Sequence, residues 1–270
     1  MRINNNLMSM NTYRQYSVNA TNSATSTEKL SSGYRINRAG DDAAGLAISE
    51  KMRAQIRGLN MASKNSQDAI SLVQTAEGAL NETHSVLQRM RELAVQAASD
   101  TNDDGVDRAA LHAEFTQLRL EIDDIATKTA FNGKVLLNGG FTGAIQTGAD
   151  ATQTLTITIT DMRSTALAID ASSLLTQGDA STAIGAVNTA INTVSTARSN
   201  MGAIQNRLQH KINNLDTSSE NLSAAESRIR DLDMAKEMTN YTKNNILVQA
   251  ATAMLAQANS APQGVLQLLQ

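Results

Sequence analysis

The 270-residue chain balances 23 Lys and Arg against 26 Asp and Glu, a formal charge of −3, so it has no basic surplus for nucleic acid; without cysteine it has no disulfide or thiolate metal site. Aromatic residues make up 3%, with one proline and no tryptophan, a composition poor for compact cores and sufficient for long helices. The charges avoid the ends: the first 27 residues hold only Arg2 and Arg14, and the last 27 hold none.

The ends therefore offer water no charged face. The longest apolar run, 246–258, is broken by Gln249, Thr252 and Gln257 and is too short to span a bilayer, so both ends are expected to be buried against protein rather than membrane. At the N-terminus, Ile3, Leu7, Met10, Tyr13, Tyr16, Ala20 and Ala24 form a weak helical stripe. The opening residues lack an apolar core segment, so no cleaved signal peptide is expected.

Asp41 and Asp42 can accept hydrogen bonds from the first amides of a helix, and from there a heptad-like seam runs through Met52, Ile56, Leu59, Ala62, Ser66, Ile70, Val73, Ala76, Leu80, Leu87, Met90 and Ala94. This predicts a helix over about 43–98, roughly 80 Å long at about 1.5 Å per residue. The polar tract 100–105 has the first half of a calcium-loop pattern, but Arg108 and Leu111 stand where the later ligands belong, so it reads as a solvated turn between helices. A second helix follows through Leu111, Phe115, Leu118, Ile122 and Ile125.

The period then changes. Asn132-Gly133 is a hairpin signal beside Val135-Leu136-Leu137, and 155–160 alternates apolar and hydroxyl residues, which predicts short strands, while 139–148 and 177–180 read as loops. A third seam comprises Ile184, Val187, Ile191, Val194, Met201, Ile204, Leu208, Ile212, Leu215, Leu222 and Ile229. The charge-rich stretch 220–236 reads as the wet face of a helix. Near the C-terminus, Met234, Met238, Tyr241, Val248, Ala251, Leu255 and Ala258 make a last apolar stripe. Opposite it lies an uncharged polar one, Gln249, Thr252, Asn259, Gln263, Gln267 and Gln270, and Pro262 with Ser260 predicts a kink or helix restart.

Three seams predict a mainly α fold, a long antiparallel helical bundle or coiled coil with a small β-hairpin region at its tip. The division expected is 1–40 as an N-terminal segment with its connecting loop, 41–232 as a rod-like helical domain with a hairpin and loop tip at about 130–180, and 233–270 as a C-terminal segment. Ordering an end of about 30 residues costs roughly 45 kcal/mol, whereas about seven apolar side chains return roughly 2 kcal/mol each and backbone hydrogen bonds about 1 kcal/mol each, which leaves the sum near zero or unfavourable. The ends are thus expected to fray in a lone chain and to become helical when other subunits cover them.

Nothing in the sequence points to catalysis or a cofactor. His84, His112 and His210 are scattered without ligand spacing, the serines lack a nucleophile elbow, and Gly139-Gly140-Phe141-Thr142-Gly143 lacks the lysine of a phosphate loop. The 11 methionines read as adaptable packing between helices.

Five stretches carry a resemblance: LSSGYRINRAGDDAAGLAIS at 30–49, QRMRELAV at 88–95, FNGKVLLNG at 131–139, ENLSAAESRIRDLDMAKEM at 220–238 and NNILVQAATAMLAQANSAPQGVLQLLQ at 244–270. Together and in this order they closely resemble bacterial flagellin, over about residues 1–140 and 185–270. The resemblance implies a short flagellin without variable outer domains, a helical homopolymer subunit of the flagellar filament serving motility. Its two ends would pair as a coiled coil, with Ile3, Leu7, Met10, Leu247, Ala251, Leu255, Leu266 and Leu269 as assembly residues and 139–178 as an exposed tip. It also implies an extracellular location reached by type III export without signal cleavage. The implied partners are an export chaperone on the C-terminal segment, filament cap and hook-junction proteins, and the animal innate-immune flagellin receptor through Arg89, Leu93 and Glu114. Two alternatives remain at this point: a hook-filament junction protein, or a secreted effector whose polymerisation is incidental.

Overall fold

The computed structural model describes residues 5–103 and 105–268, with side chains described as far as residue 261. Five helices occur among them: α1 (Leu7–Ser32), α2 (Ala43–Ala97), α3 (Asp107–Lys128), α4 (Gln177–Arg230) and α5 (Met234–Leu268). Four short strands lie between α3 and α4: β1 (Ala130–Phe131), β2 (Lys134–Val135), β3 (Thr142–Gln146) and β4 (Thr154–Thr158). The mainly α class with small hairpins is the one the sequence predicts. Two compact units result, one from Met1–Ala54 with Asn221–Gln270 and one from Gln55–Glu220. These boundaries fall inside α2 and α4, whereas the sequence reading divided the chain at the helix starts, because composition changes there while packing changes within the helices.

In the central unit, α2 carries two interleaved series of buried positions at seven-residue spacing, Val73, Leu80, Leu87 and Ala94 beside Ala62, Ala69, Ala76, Met90 and Ala97. α4 answers with Ala180, Val187, Val194, Met201, Leu208 and Leu215 beside Ala183, Ala190 and Ala197. Alternating large and small residues let the two helices interdigitate without aromatics. They run antiparallel, since Ser63 Oγ donates to Asp216 at 3.0 Å while Glu77, further along α2, accepts from Gln205 at 2.7 Å. α3 adds Phe115, Ile122 and Ala126 to the same core. Two polar seam residues are fully covered without cost to hydrogen bonding: Ser66 Oγ and Thr83 Oγ1 donate to the carbonyls of Ala62 and Ala79, at 2.8 and 3.0 Å.

The described residues of 100–105 form the exposed turn between α2 and α3 that the sequence predicts, and Arg108 of α3 ties it to α2. Arg108 is buried, and its guanidinium donates to the Ala97 and Ser99 carbonyls, both at 2.8 Å. A cation thus satisfies the last carbonyl of α2 and one in the turn after it, as the C-terminal end of a helix favours.

The hairpin region holds two antiparallel pairs, β1 with β2 and β3 with β4. Asn132 (φ 48°) and Gly133 (φ 76°) both take the left-handed conformation, as a two-residue hairpin turn requires. β3 corrects the reading of 139–148 as loop. Its sequence, Thr-Gly-Ala-Ile-Gln, lacks strand-forming alternation, yet Thr142 to Gln146 pair residue by residue with Thr158 to Thr154. Gly143 is needed there, because a Cβ would stand 2.8 Å from Cζ of the Phe141 ring. The irregular segment before α4 is pinned to α3 by Asp123, whose carboxylate accepts from Ser164 N and Oγ, both at 2.8 Å.

Residues 177–180, read as loop, are the first turn of α4. Thr176 caps it, its Oγ1 accepting from Asp179 N at 3.1 Å. Of the kink or restart expected at Pro262, a restart is excluded, because α5 continues through it. The missing proline N–H leaves the Ala258 carbonyl without the partner that residue 262 would have supplied.

Candidate assembly interface

The terminal unit is built from α1, α5, the first turns of α2 and the last turns of α4. α1 and α5 lie side by side and antiparallel. At one end Asn6 Nδ2 donates to the Ala258 carbonyl at 2.7 Å and Ser9 Oγ to Asn259 Oδ1 at 2.7 Å; at the other, Tyr34 bridges to Asp231. Asn6 also caps α1, its Oδ1 accepting from Ser9 N at 3.1 Å.

Few apolar side chains in this unit find cover within the chain. Ala251 and Ala258, seven residues apart on α5, are buried, and Leu255 is half-buried. Leu7 is 74% exposed, Met10 60% and Leu247 39%; Met8, Tyr13, Val18, Met234, Met238, Ile246 and Met254 are exposed as well. Of the assembly residues inferred from sequence, Leu7, Met10 and Leu247 thus face outward, whereas Ala251 is already spent inside the chain, being small enough to let α1 approach. Ile3 and Leu269 lie outside the described residues, as does the side chain of Leu266.

α1 carries its hydroxyls in a particular way. Thr12, Thr21, Thr25 and Thr27 each donate to the carbonyl four residues back, at 2.8 to 3.0 Å. Gly33 ends the helix in the left-handed conformation (φ 74°), its N–H closing on the Lys29 carbonyl.

The connection between α1 and α2 is organised by carboxylates. Asp41 Oδ2 accepts from the amides of Asn37 and Arg38, both at 3.0 Å, and these bonds hold its carboxyl below the usual aspartate range. Asp42 caps α2, its Oδ1 accepting from Gly45 N at 2.8 Å, while Gly45 leaves room for Asp42 and for the buried Ile36. Arg38 makes a forked pair with Glu28, both contacts at 3.0 Å.

Arg230, at the end of α4, gathers the remaining groups. Its side chain is only 13% exposed, its guanidinium lies 4.8 Å from the Tyr34 ring centre, and Nη1 donates to Glu50 at 2.6 Å. That hydrogen bond, more than the charge of Arg53, lowers the Glu50 carboxyl. Arg35 N donates to the Arg230 carbonyl at 2.7 Å and Leu232 N to the Gly33 carbonyl at 3.0 Å. The 220–236 stretch is therefore not simply a wet face: its arginine nearest the helix end is packed, and Tyr34 is the partner that sequence spacing does not reveal.

The Arg89 surface belongs to the central unit. Arg89 Nε donates to Glu114 of α3 at 2.9 Å and Nη1 to Glu92 at 3.1 Å, and both carboxylates, Glu114 foremost, hold the guanidinium protonated. Leu93 is not on this surface. At 1% exposure it lies in the core below, since residue 93 follows Met90 and precedes Ala97 on the packed side of α2. A shallow groove of about 550 Å³ lies along Gln88, Arg91, Glu92, Val95 and Gln96. Among the described residues no metal-binding group of His, Asp or Glu side chains occurs, and no helix is long and apolar enough to cross a membrane.

Against known proteins, residues 3–142 match the bacterial flagellin N-terminal helical region and 184–269 the bacterial flagellin C-terminal helical region. The chain belongs to the flagellin family. The flagellin of Halalkalibacterium halodurans is 56% identical over the full length of both chains, and that of Bacillus subtilis 53% identical, again end to end. The crystal structure of Bacillus cereus flagellin, 36% identical, superposes with a TM-score of 0.51 over 60% of this chain and 94% of that one. As a flagellin the protein is a structural filament subunit in the service of motility. The end-to-end match fits a short form without variable outer domains.

Proposed function

We propose that the terminal unit is the polymerising element of this flagellin, and that α1 and α5 gain their final order only when neighbouring copies cover them. The observation that carries this reading is the row of outward apolar side chains, from Leu7, Met8 and Met10 on α1 to Ile246, Leu247 and Met254 on α5, at chain ends without acidic residues and with little basic charge to repel another copy. Covering such side chains is worth about 1.5–3 kcal/mol each. Removal of residues 1–25 tests it: seeded filament growth should cease while the helical signal of the central unit persists. Truncated chains that elongate filaments at the normal rate would overturn the reading.

The finer expectations belong to the same proposal. The chain leaves the cell through the flagellar type III route without signal cleavage, an export chaperone holds its C-terminal segment until then, and cap and hook-junction proteins receive it outside. The uncharged stripe from Gln249 to Gln270 lines a central channel of the filament through which unfolded subunits pass, where fixed charge would retain them. Replacing Gln263 and Gln267 by lysine should give short filaments; filaments of normal length would remove the channel role.

The Arg89–Glu114 face is the surface for the animal flagellin receptor, with Leu93 supporting it from below rather than touching the partner. Arg89→Ala should abolish receptor activation by the soluble chain without changing filament growth, and undiminished activation would count against it.

A further inference from the structure

The chain's single proline stands inside α5, and the one carbonyl it deprives of an intrahelical donor, Ala258 O, receives Asn6 Nδ2 at 2.7 Å instead. The other end of the same amide caps α1 through Ser9 N at 3.1 Å. The two neighbours fix the orientation of the amide: an N–H faces Oδ1 and a carbonyl faces Nδ2, so a flipped side chain would satisfy neither. Ser9 Oγ, donating to Asn259 Oδ1 at 2.7 Å, adds a second link three residues along α1 and one along α5.

We propose that Asn6 and Pro262 form a registering lock, in which the proline exposes one acceptor on α5 and Asn6 reads it, fixing where α1 starts along its partner helix. The apolar contacts of α1 and α5 cannot do this by themselves. Backbone bonds of Gly33 and Arg35 with Leu232 and Arg230 hold the far end of α1, but at its start Ala251 and Ala258 are small and the larger side chains face outward, so a shift of the first turns would forfeit little packing. Within α5 the proline vacates the Ala258 carbonyl, and a shifted α1 would leave it unpaired, as well as losing the cap. Asn6 is therefore a positioning residue for polymerisation, and it sets which apolar side chains of α1 and α5 stand together as one outward surface.

The proposal rests on filament formation and is tested on the full chain by the critical concentration for seeded growth. Asn6→Ser keeps a good helix cap but lacks the reach to Ala258, and should raise that concentration about tenfold, a loss of about 1.4 kcal/mol. Asn6→Asp keeps the cap but turns a carboxylate toward the carbonyl, and should raise it further. In a Pro262→Ala background the restored amide occupies Ala258 O, so Asn6→Ser should then cost less than about threefold. An equal cost in both backgrounds, or unchanged growth of Asn6→Ser, overturns the lock. If Pro262→Ala does not assemble, the Ala258 carbonyl carbon shift in filaments decides: it should move on Asn6→Ser, and an unmoved shift overturns the lock. Failure of the parent chain to form filaments would instead defeat the filament reading.

Discussion

The terminal and central units are both helical but are stabilised by opposite means. In the central unit nearly every seam position of α2 and α4 is covered by the chain's own side chains, whereas α1 buries one residue, Ser26, and most of its large apolar side chains remain outside. Helical periodicity alone thus does not say whether a stripe is core or interface. The difference lies in how many partner stripes the same chain supplies.

The largest expected effects separate the two units outright. Leu80→Ala or Leu87→Ala, at fully buried positions, should cost the isolated chain about 3 kcal/mol in thermal or denaturant unfolding, within the range for buried leucines. Leu7→Ala should change that unfolding by less than about 0.5 kcal/mol yet raise the critical concentration for growth several-fold. If Leu7→Ala destabilised the isolated chain as much as Leu80→Ala, the contrast between the units would collapse.

A smaller effect is expected at the junction of α1, α2 and α4. Arg230→Met keeps most of the packing on Tyr34 and removes the donor to Glu50, so the Glu50 carboxyl should titrate closer to an ordinary glutamate by NMR. No upward movement would mean that Arg53 rather than Arg230 governs that charge. The smallest effect concerns pH. Because the Asp41 carboxyl is held below its ordinary value, its support of the 37–41 turn is complete above the normal aspartate range, about 3.9, and is lost as the pH falls through its lowered value. The Asn37 and Arg38 amides should therefore exchange faster in acid, and Asp41→Asn should make them exchange faster at neutral pH as well. Amides indifferent to acid would show that the turn holds without the carboxylate.

Helix starts and seams were legible because they rest on local chemistry: Asp42 caps α2, heptad spacing places Leu80 and Leu87 inside, and Asn132-Gly133 makes its hairpin turn. What escaped depends on groups distant in sequence. β3 is a strand because β4 pairs with it and Phe141 lies against Gly143, while Leu93 seemed available to a partner because the QRMRELAV motif does not tell which side of α2 faces the core. The start of α4 was missed for a local reason, since Gly178 drew attention from the Thr176 cap. Arg230 was read as part of a wet helix face, yet it reaches Glu50, and no sequence signal directs Arg108 to the end of α2. At the interface, nothing local singles out Asn6, and only the continuity of α5 through Pro262 gives its amide a destination.

The threonines of α1 bear on how readily such a surface can be closed. Because Thr12, Thr21, Thr25 and Thr27 already direct their protons into the helix backbone, an arriving copy that covers them strands no hydroxyl donor. The dehydration penalty on approach is correspondingly small. What such a copy meets at the chain ends is apolar surface and satisfied hydroxyls, with little fixed charge of either sign.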